Sequence, residues 1–141
     1  MSTQQNIDLI RDAQVVEIQA NTICIKGKAE SFQAATSEIY MAKYDNENKI
    51  LELCFPNRVV QTQFDLKFPI VDKFPGFFKL MNDNAQLCTL INIKQLGYFK
   101  FFNNTLIFHF RCGNQVHIPI GAQGHNYFLR IAELHELLLL K

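Results

Sequence analysis

The sequence predicts an α+β domain: mainly antiparallel β-hairpins forming a curved sheet or partly open barrel, with a C-terminal helix and one or two short helices. Two patterns predict it. Runs of alternating apolar and polar residues recur from Val15 to Ile120, separated by turns rich in Asn, Asp and Gly. After Gly124 the apolar spacing becomes helical. Composition agrees with both. The 141 residues are 48% hydrophobic and 19% charged, which suits one domain, 1–141, with a real core.

The first elements follow in order. Residues 3–13 read as a short helix, capped by Ser2 or Thr3, with Ile7, Leu9 and Ile10 as a weak apolar stripe. "VVEIQANTICIKG" reads as a hairpin. A two-residue turn at Ala20-Asn21 puts Val16, Ile18, Ile23 and Ile25 on one face. In "EIYMAKYDNENKILELCF" a loop at 45–48 pairs Tyr44 with Lys49 and groups Tyr40, Ala42, Leu51, Leu53 and Phe55. The opposite face is also apolar, so this hairpin is expected to be buried on both sides. "VQTQFDLKF" alternates cleanly from Val60 to Phe68 and ends at Pro69. "DKFPGFFKLMNDN" reads as a short helix near 74–82 with Pro75 in its first turn, and 86–94 as a strand.

"GYFKFFNNTLIFHFRCGNQVHIPI" reads as a three-strand meander. A two-residue turn at Asn103-Asn104 places Phe99, Phe101, Leu106, Phe108 and Phe110 on one face. For the second turn, a loop of Gly113, Asn114 and Gln115 sets Cys112 against Val116, Phe110 against Ile118 and Phe108 against Ile120. One face is then wholly apolar, which a one-residue slip would destroy. Asn114 is expected to take the positive φ that such a loop needs. The opposite face then carries Tyr98, Lys100, His109, Arg111 and His117, with Phe102, Ile107 and Pro119 around them. Tyr98 is expected across from His109, and Arg111 across from His117. In the closing helix, Tyr127, Ile131, Leu134 and Leu138 form the apolar stripe, and His135 reads as surface. Seven or more strands ending in a helix resemble, in outline, pleckstrin-homology-like barrels, with no shared motif.

The charge distribution singles out the meander. No Asp or Glu occurs from Asn84 to Ala132, where the cations are Lys94, Lys100, Arg111 and Arg130. Residues 1–83 carry 9 Lys/Arg against 11 Asp/Glu, and residues 84–141 carry 5 against 2. An acid-free face with Lys, Arg and His suits an anion; a sheet packed on both faces would also lack charges. Tyr98, Lys100, His109, Arg111 and His117 are therefore the candidate ligand-binding residues.

Other chemistries lack support. The four cysteines stand far apart without a CxxC pair, which suits buried thiols in a reducing, cytoplasmic compartment and no zinc. Neither GxGxxG nor GxxxxGK[ST] occurs, no GxSxG occurs, and no carboxylate pair stands out. No metal or cofactor is expected, and no signal peptide or membrane span. The formal net charge of +1 gives no whole-chain pull toward DNA or RNA, so nucleic acid is disfavoured. The leading reading is a small non-catalytic binding protein of inhibitor, adaptor or immunity type. Its partner would be another protein or its own copy, met through Phe74, Phe77 and Phe78 or through "ELLLLK". The alternatives are a receptor for a small anionic ligand around Arg111, and an enzyme using a histidine as acid/base.

Overall fold

The computed structural model describes residues 6–19, 21–67, 70–81 and 86–139. Its strands are β1 (Asn6–Ile10), β2 (Val15–Gln19), β3 (Thr22–Lys26), β4 (Ser31–Ala35), β5 (Met41–Asp45), β6 (Ile50–Phe55), β7 (Arg58–Gln63), β8 (Phe77–Met81), β9 (Leu87–Asn92), β10 (Leu96–Phe102), β11 (Thr105–Phe110) and β12 (Gln115–Pro119). The chain closes with the helix α1 (Gly124–Leu139), and short 3-10 turns lie between elements. The protein is α+β, mostly sheet. It is not a barrel. A six-stranded sheet ordered β1-β7-β6-β5-β9-β8 is sandwiched between two three-stranded sheets, β2-β3-β4 and β10-β11-β12.

The central sheet has two cores because it is apolar on both faces. Ala42, Tyr44, Leu51, Leu53, Val60 and Leu90 pack toward Val16, Ile18, Ile23 and Ile25. Met41, Cys54, Val59, Leu80 and Ile91 pack toward Leu106, Phe108, Phe110 and Ile131. Each fully buried Leu, Ile or Phe among them contributes about 1.5–3 kcal/mol of transfer free energy. Cys54 belongs to this interior: burial, and next the charge of Glu52, push its thiol up to about 12.

Several elements differ from the sequence expectation, each for a local reason. Residues 6–10 form a strand, paired in parallel with β7, rather than part of a helix; residues 3–5 of that expected helix lie outside the described region. Thr62 Oγ1 donates to Ile10 O at 3.0 Å and anchors this edge. The β2–β3 hairpin keeps its expected register, Gln19 against Thr22, with Ala20 outside the described residues. Tyr44 pairs with Leu51 rather than Lys49. The carboxylate of Asp45 accepts from the backbone N–H of Glu47 (2.9 Å) and Asn48 (3.1 Å), and Lys49 turns left-handed at φ 57°. These contacts keep a four-residue loop but move it one position along, from 45–48 to 46–49. Tyr40 leaves the expected group and packs in the second core against Phe110, at 4.7 Å between rings.

The run that begins at Val60 is strand only to Gln63, opposite Ile50, where its partner begins; Phe68 and Pro69 lie outside the described residues. Beyond it, the Tyr44 hydroxyl donates to Phe64 O and accepts from Leu66 N–H, both at 3.1 Å. Within the expected helix near 74–82, residues 77–81 form strand β8 instead, and residue 82 lies outside the described residues. Pro75-Gly76 makes a tight turn with Gly76 at φ 85°, and Phe77 N–H returns to Phe74 O at 3.2 Å. Phe74 is buried, and Phe77 and Phe78 pack half-buried against the two cores. This aromatic segment is therefore interior and not an exposed interface. The side chains of 137–141 lie outside the described residues.

Asp45 supplies a pH test. Hydrogen bonds from Asn48 first, and also from Glu47 and Gln86, hold its carboxyl below the ordinary 3.8. A carboxyl lowered on folding stabilises above its unfolded value, and that gain is lost as pH falls through the lower folded value. Asp45→Ala should therefore lower the melting temperature at neutral pH. The gap from the native protein should narrow as pH falls below about 4. Thermal melts across pH check this, and a gap that stays constant into acid contradicts it.

Candidate functional site

The meander β10-β11-β12 carries the residues that the sequence singles out. Its inner face, with Leu106, Phe108 and Phe110, closes the second core. Helix α1 packs on this same side: Phe99 meets Phe128 at 5.1 Å, and Ile131 is fully buried. His135 also turns inward. Its Nε2 lies 3.0 Å from Leu96 O and its ring stands edge-on to Phe99, so the surface expectation for it fails. Because the helix chose the Phe99 side, the outer face is left uncovered by α1.

That outer face is a grid of three rows fixed by strand pairing. Tyr98, His109 and Gln115 form the first row, Lys100, Ile107 and His117 the second, and Phe102, Thr105 and Pro119 the third. Rows lie about 6.6 Å apart and neighbouring strands about 4.8 Å apart. No position of this grid is Asp or Glu. Ile107 is 8% exposed, while Tyr98 is 60% and Phe102 64% exposed. The Tyr98 and His109 rings stack with centroids 4.0 Å apart and planes 13° apart.

Two local features aim these side chains. Leu96 and Tyr98 would share a face in a regular strand, yet Leu96 is buried and Tyr98 points outward. The cause is a bulge between them, where the pairing jumps from Leu96–Phe110 to Tyr98–His109 around Gly97. A side chain at Gly97 would place its Cβ 3.0 Å from His109 O. At the other hairpin, Asn103 (φ 51°) and Asn104 (φ 58°) make the expected two-residue turn.

The second turn is longer than expected. Phe108 lies across from Val116 and Leu106 across from Ile118, so the loop runs from 110 to 114. Gly113 takes the positive φ, 98°, in place of Asn114. Phe110 N–H donates to Asn114 O and Gly113 N–H to Phe110 O, both at 2.9 Å. The slip is by an even number, so both faces keep their members while the partners change. His117 therefore opposes Ile107, not Arg111. Arg111 lies beyond the strand end, exposed, with its N–H held by Gln95 O at 2.8 Å. Cys112, expected on the core side, is exposed in the same loop.

The structure thus brings Tyr98, Lys100, His109 and His117 onto one face and sets Arg111 at its end, one residue from Lys94 through Gln95. Among the described residues, Lys94, Lys100 and Arg111 have no carboxylate partner. His109 and His117 are diagonal neighbours, and no cluster of three metal-ligating side chains occurs among the described residues. Beside His117 a cleft of about 180 Å³ reaches Lys43 and Thr89, which no local sequence pattern places there. A larger groove of about 610 Å³ lies elsewhere, between Phe32, Phe55 and Arg58. Its arginine is already engaged, with Asp8 at 2.9 Å and over the Phe32 ring.

No helix of the described residues is long and apolar enough to cross a membrane. No family model matches the chain, and no curated protein matches its sequence. A solved structure shares its fold: the LytTr DNA-binding domain of a methyl-accepting/DNA response regulator from Bacillus cereus. The two are 9% identical with a TM-score of 0.53, over 81% of this chain and 98% of that one. This finding overturns the expectation of a protein partner or self-association with nucleic acid disfavoured, because a DNA-binding domain is built on the same architecture. A whole-chain charge of +1 does not decide the matter, because a binding face responds to the charges within about a Debye length.

Proposed function

We propose that this chain is a DNA-binding domain and that the outer face of β10-β11-β12 meets the DNA. One observation carries the reading: in a fold shared with a DNA-binding domain, the sheet face left open by α1 holds Lys100 and two histidines and no carboxylate, with Arg111 at its end. Lys100 stands in the middle row, with Arg111 and Lys94 at the Gln95 end. These three would contact phosphate, and His109 and His117 would donate hydrogen bonds beside them. The proposal treats residues 1–141 as one domain, since both cores lean on the same central sheet. It places the protein in the cytoplasm, which suits its free cysteines.

The cation count sets the expected salt dependence. Three phosphate contacts give a slope of log affinity against log salt of about −2 to −3. Fluorescence anisotropy with labelled oligonucleotides over a salt series measures it. Lys100→Ala and Arg111→Ala should each weaken binding and flatten the slope by about one. Binding that ignores salt, or slopes unchanged in both variants, would remove this face from the interface.

A further inference from the structure

We infer that this face takes unpaired DNA, with bases stacked on Tyr98 and Phe102; the inference rests on the DNA-binding reading. Both rings project from β10 on the open side and are among its most solvent-exposed large side chains. Lys100 sits midway between them. At about 3.3 Å per residue, the rings are about 13 Å apart and the ammonium stem about 6.6 Å from each. The order along the strand is aromatic, cation, aromatic. A strand of DNA lying along β10 would set bases against the rings and the intervening phosphate against Lys100. The Tyr98 ring is braced by His109 at 4.0 Å, so it is held in place before a base arrives.

Magnitudes favour unpaired DNA over duplex. Three cations release few counterions, so electrostatics alone leaves a duplex weakly held. Stacking on an aromatic side chain adds roughly 5- to 150-fold in affinity per base. Only unpaired bases can use it, because a duplex stacks its bases on one another and offers just their edges. The major groove admits a helix or a two-stranded ribbon, whereas this face is three strands broad. Against a duplex, Tyr98 and Phe102 would stay exposed to no purpose. Against single-stranded DNA they become the main source of affinity.

The test compares three labelled probes by anisotropy: an oligothymidylate of about 20 nucleotides, an oligouridylate of the same length, and a blunt duplex of the same length. The oligothymidylate should bind at least about fivefold more tightly than the duplex. Tyr98→Ala and Phe102→Ala should each lower that affinity about fivefold or more and leave duplex binding unchanged, while Tyr98→Phe should bind as the native protein does. Lys100→Ala should weaken both. Tighter binding of the duplex or of the oligouridylate overturns the inference, as do aromatic variants that bind like the native protein. In those cases the nucleic-acid face still stands. Absence of binding to every probe removes the inference and the DNA-binding reading together.

Discussion

Replacing Phe108 by alanine is expected to lower the unfolding free energy by about 3–5 kcal/mol. Phe108 is fully buried and lies in the middle of β11, between Phe99 on one side and Val116 on the other. Its ring approaches Phe99 at 6.4 Å and Phe110 at 6.2 Å, within the core that joins the meander to the central sheet. Truncation removes the ring's transfer free energy and leaves a cavity that neighbours on three elements cannot all fill. A domain stable by 5–15 kcal/mol would lose a large share of its margin. The effect reaches the outer face, because Ile107 and His109 alternate with Phe108 on the same strand. Denaturant unfolding at fixed temperature measures the cost. Phe102→Ala, on the exposed face of the neighbouring strand, serves as the control and should change stability by less than about 0.5 kcal/mol. A Phe108→Ala cost below about 1 kcal/mol would mean that the meander does not depend on this core.

Gly124→Ala should also destabilise, by about 1–3 kcal/mol, although helix propensity alone predicts a gain. Gly124 opens α1 and is buried against the meander. A Cβ there would sit 2.2 Å from Phe101 Cε1 and 2.4 Å from Ile120 Cγ2. Both distances are far inside van der Waals contact. Phe101 can rotate by a limited amount, but Ile120 is 6% exposed and packed in the second core. The start of the helix must therefore lift from the sheet. The methyl group recovers about 0.5–1 kcal/mol by restricting the unfolded chain, which is less than the overpacking cost. Gln123→Ala, exposed one residue earlier, should be near neutral. Thermal or denaturant unfolding of the two variants checks the pair, and a stabilised Gly124→Ala would show that the contact relaxes freely.

Legibility of the fold follows the reach of each signal. The Ala20-Asn21 and Asn103-Asn104 hairpins were readable because alternation and turn chemistry agreed within a few residues. "FPGFF" points to a helix because Pro75 suits a first helical turn, while Pro75-Gly76 carries the stronger turn signal. The parallel pairing of β1 with β7 joins residues about fifty positions apart, which no local pattern specifies. His135 was misplaced because its environment comes from Phe99 and Leu96 on another element. The bulge at Gly97 had a usable sign, an isolated glycine in a strand, and it decides that Tyr98 faces outward.

The candidate site shows the same division. By itself the sequence determined which side chains share a face: Tyr98, Lys100, His109 and His117 on one, Phe108, Val116 and Ile118 on the other. It also determined that the face holds no carboxylate. Alternation has a period of two, so any even slip in register leaves the faces unchanged, and no hydropathy pattern can choose between a three-residue and a five-residue loop. Tertiary structure made that choice, through Gly113 and the Gln95 carbonyl that holds Arg111, and so set His117 beside Ile107 and moved Arg111 to the rim. It also decided that the polar face is the open one. Helix α1 could bury its stripe only against the apolar side of the meander, because covering Lys100 and the histidines would strip water from charged groups that have no partner there.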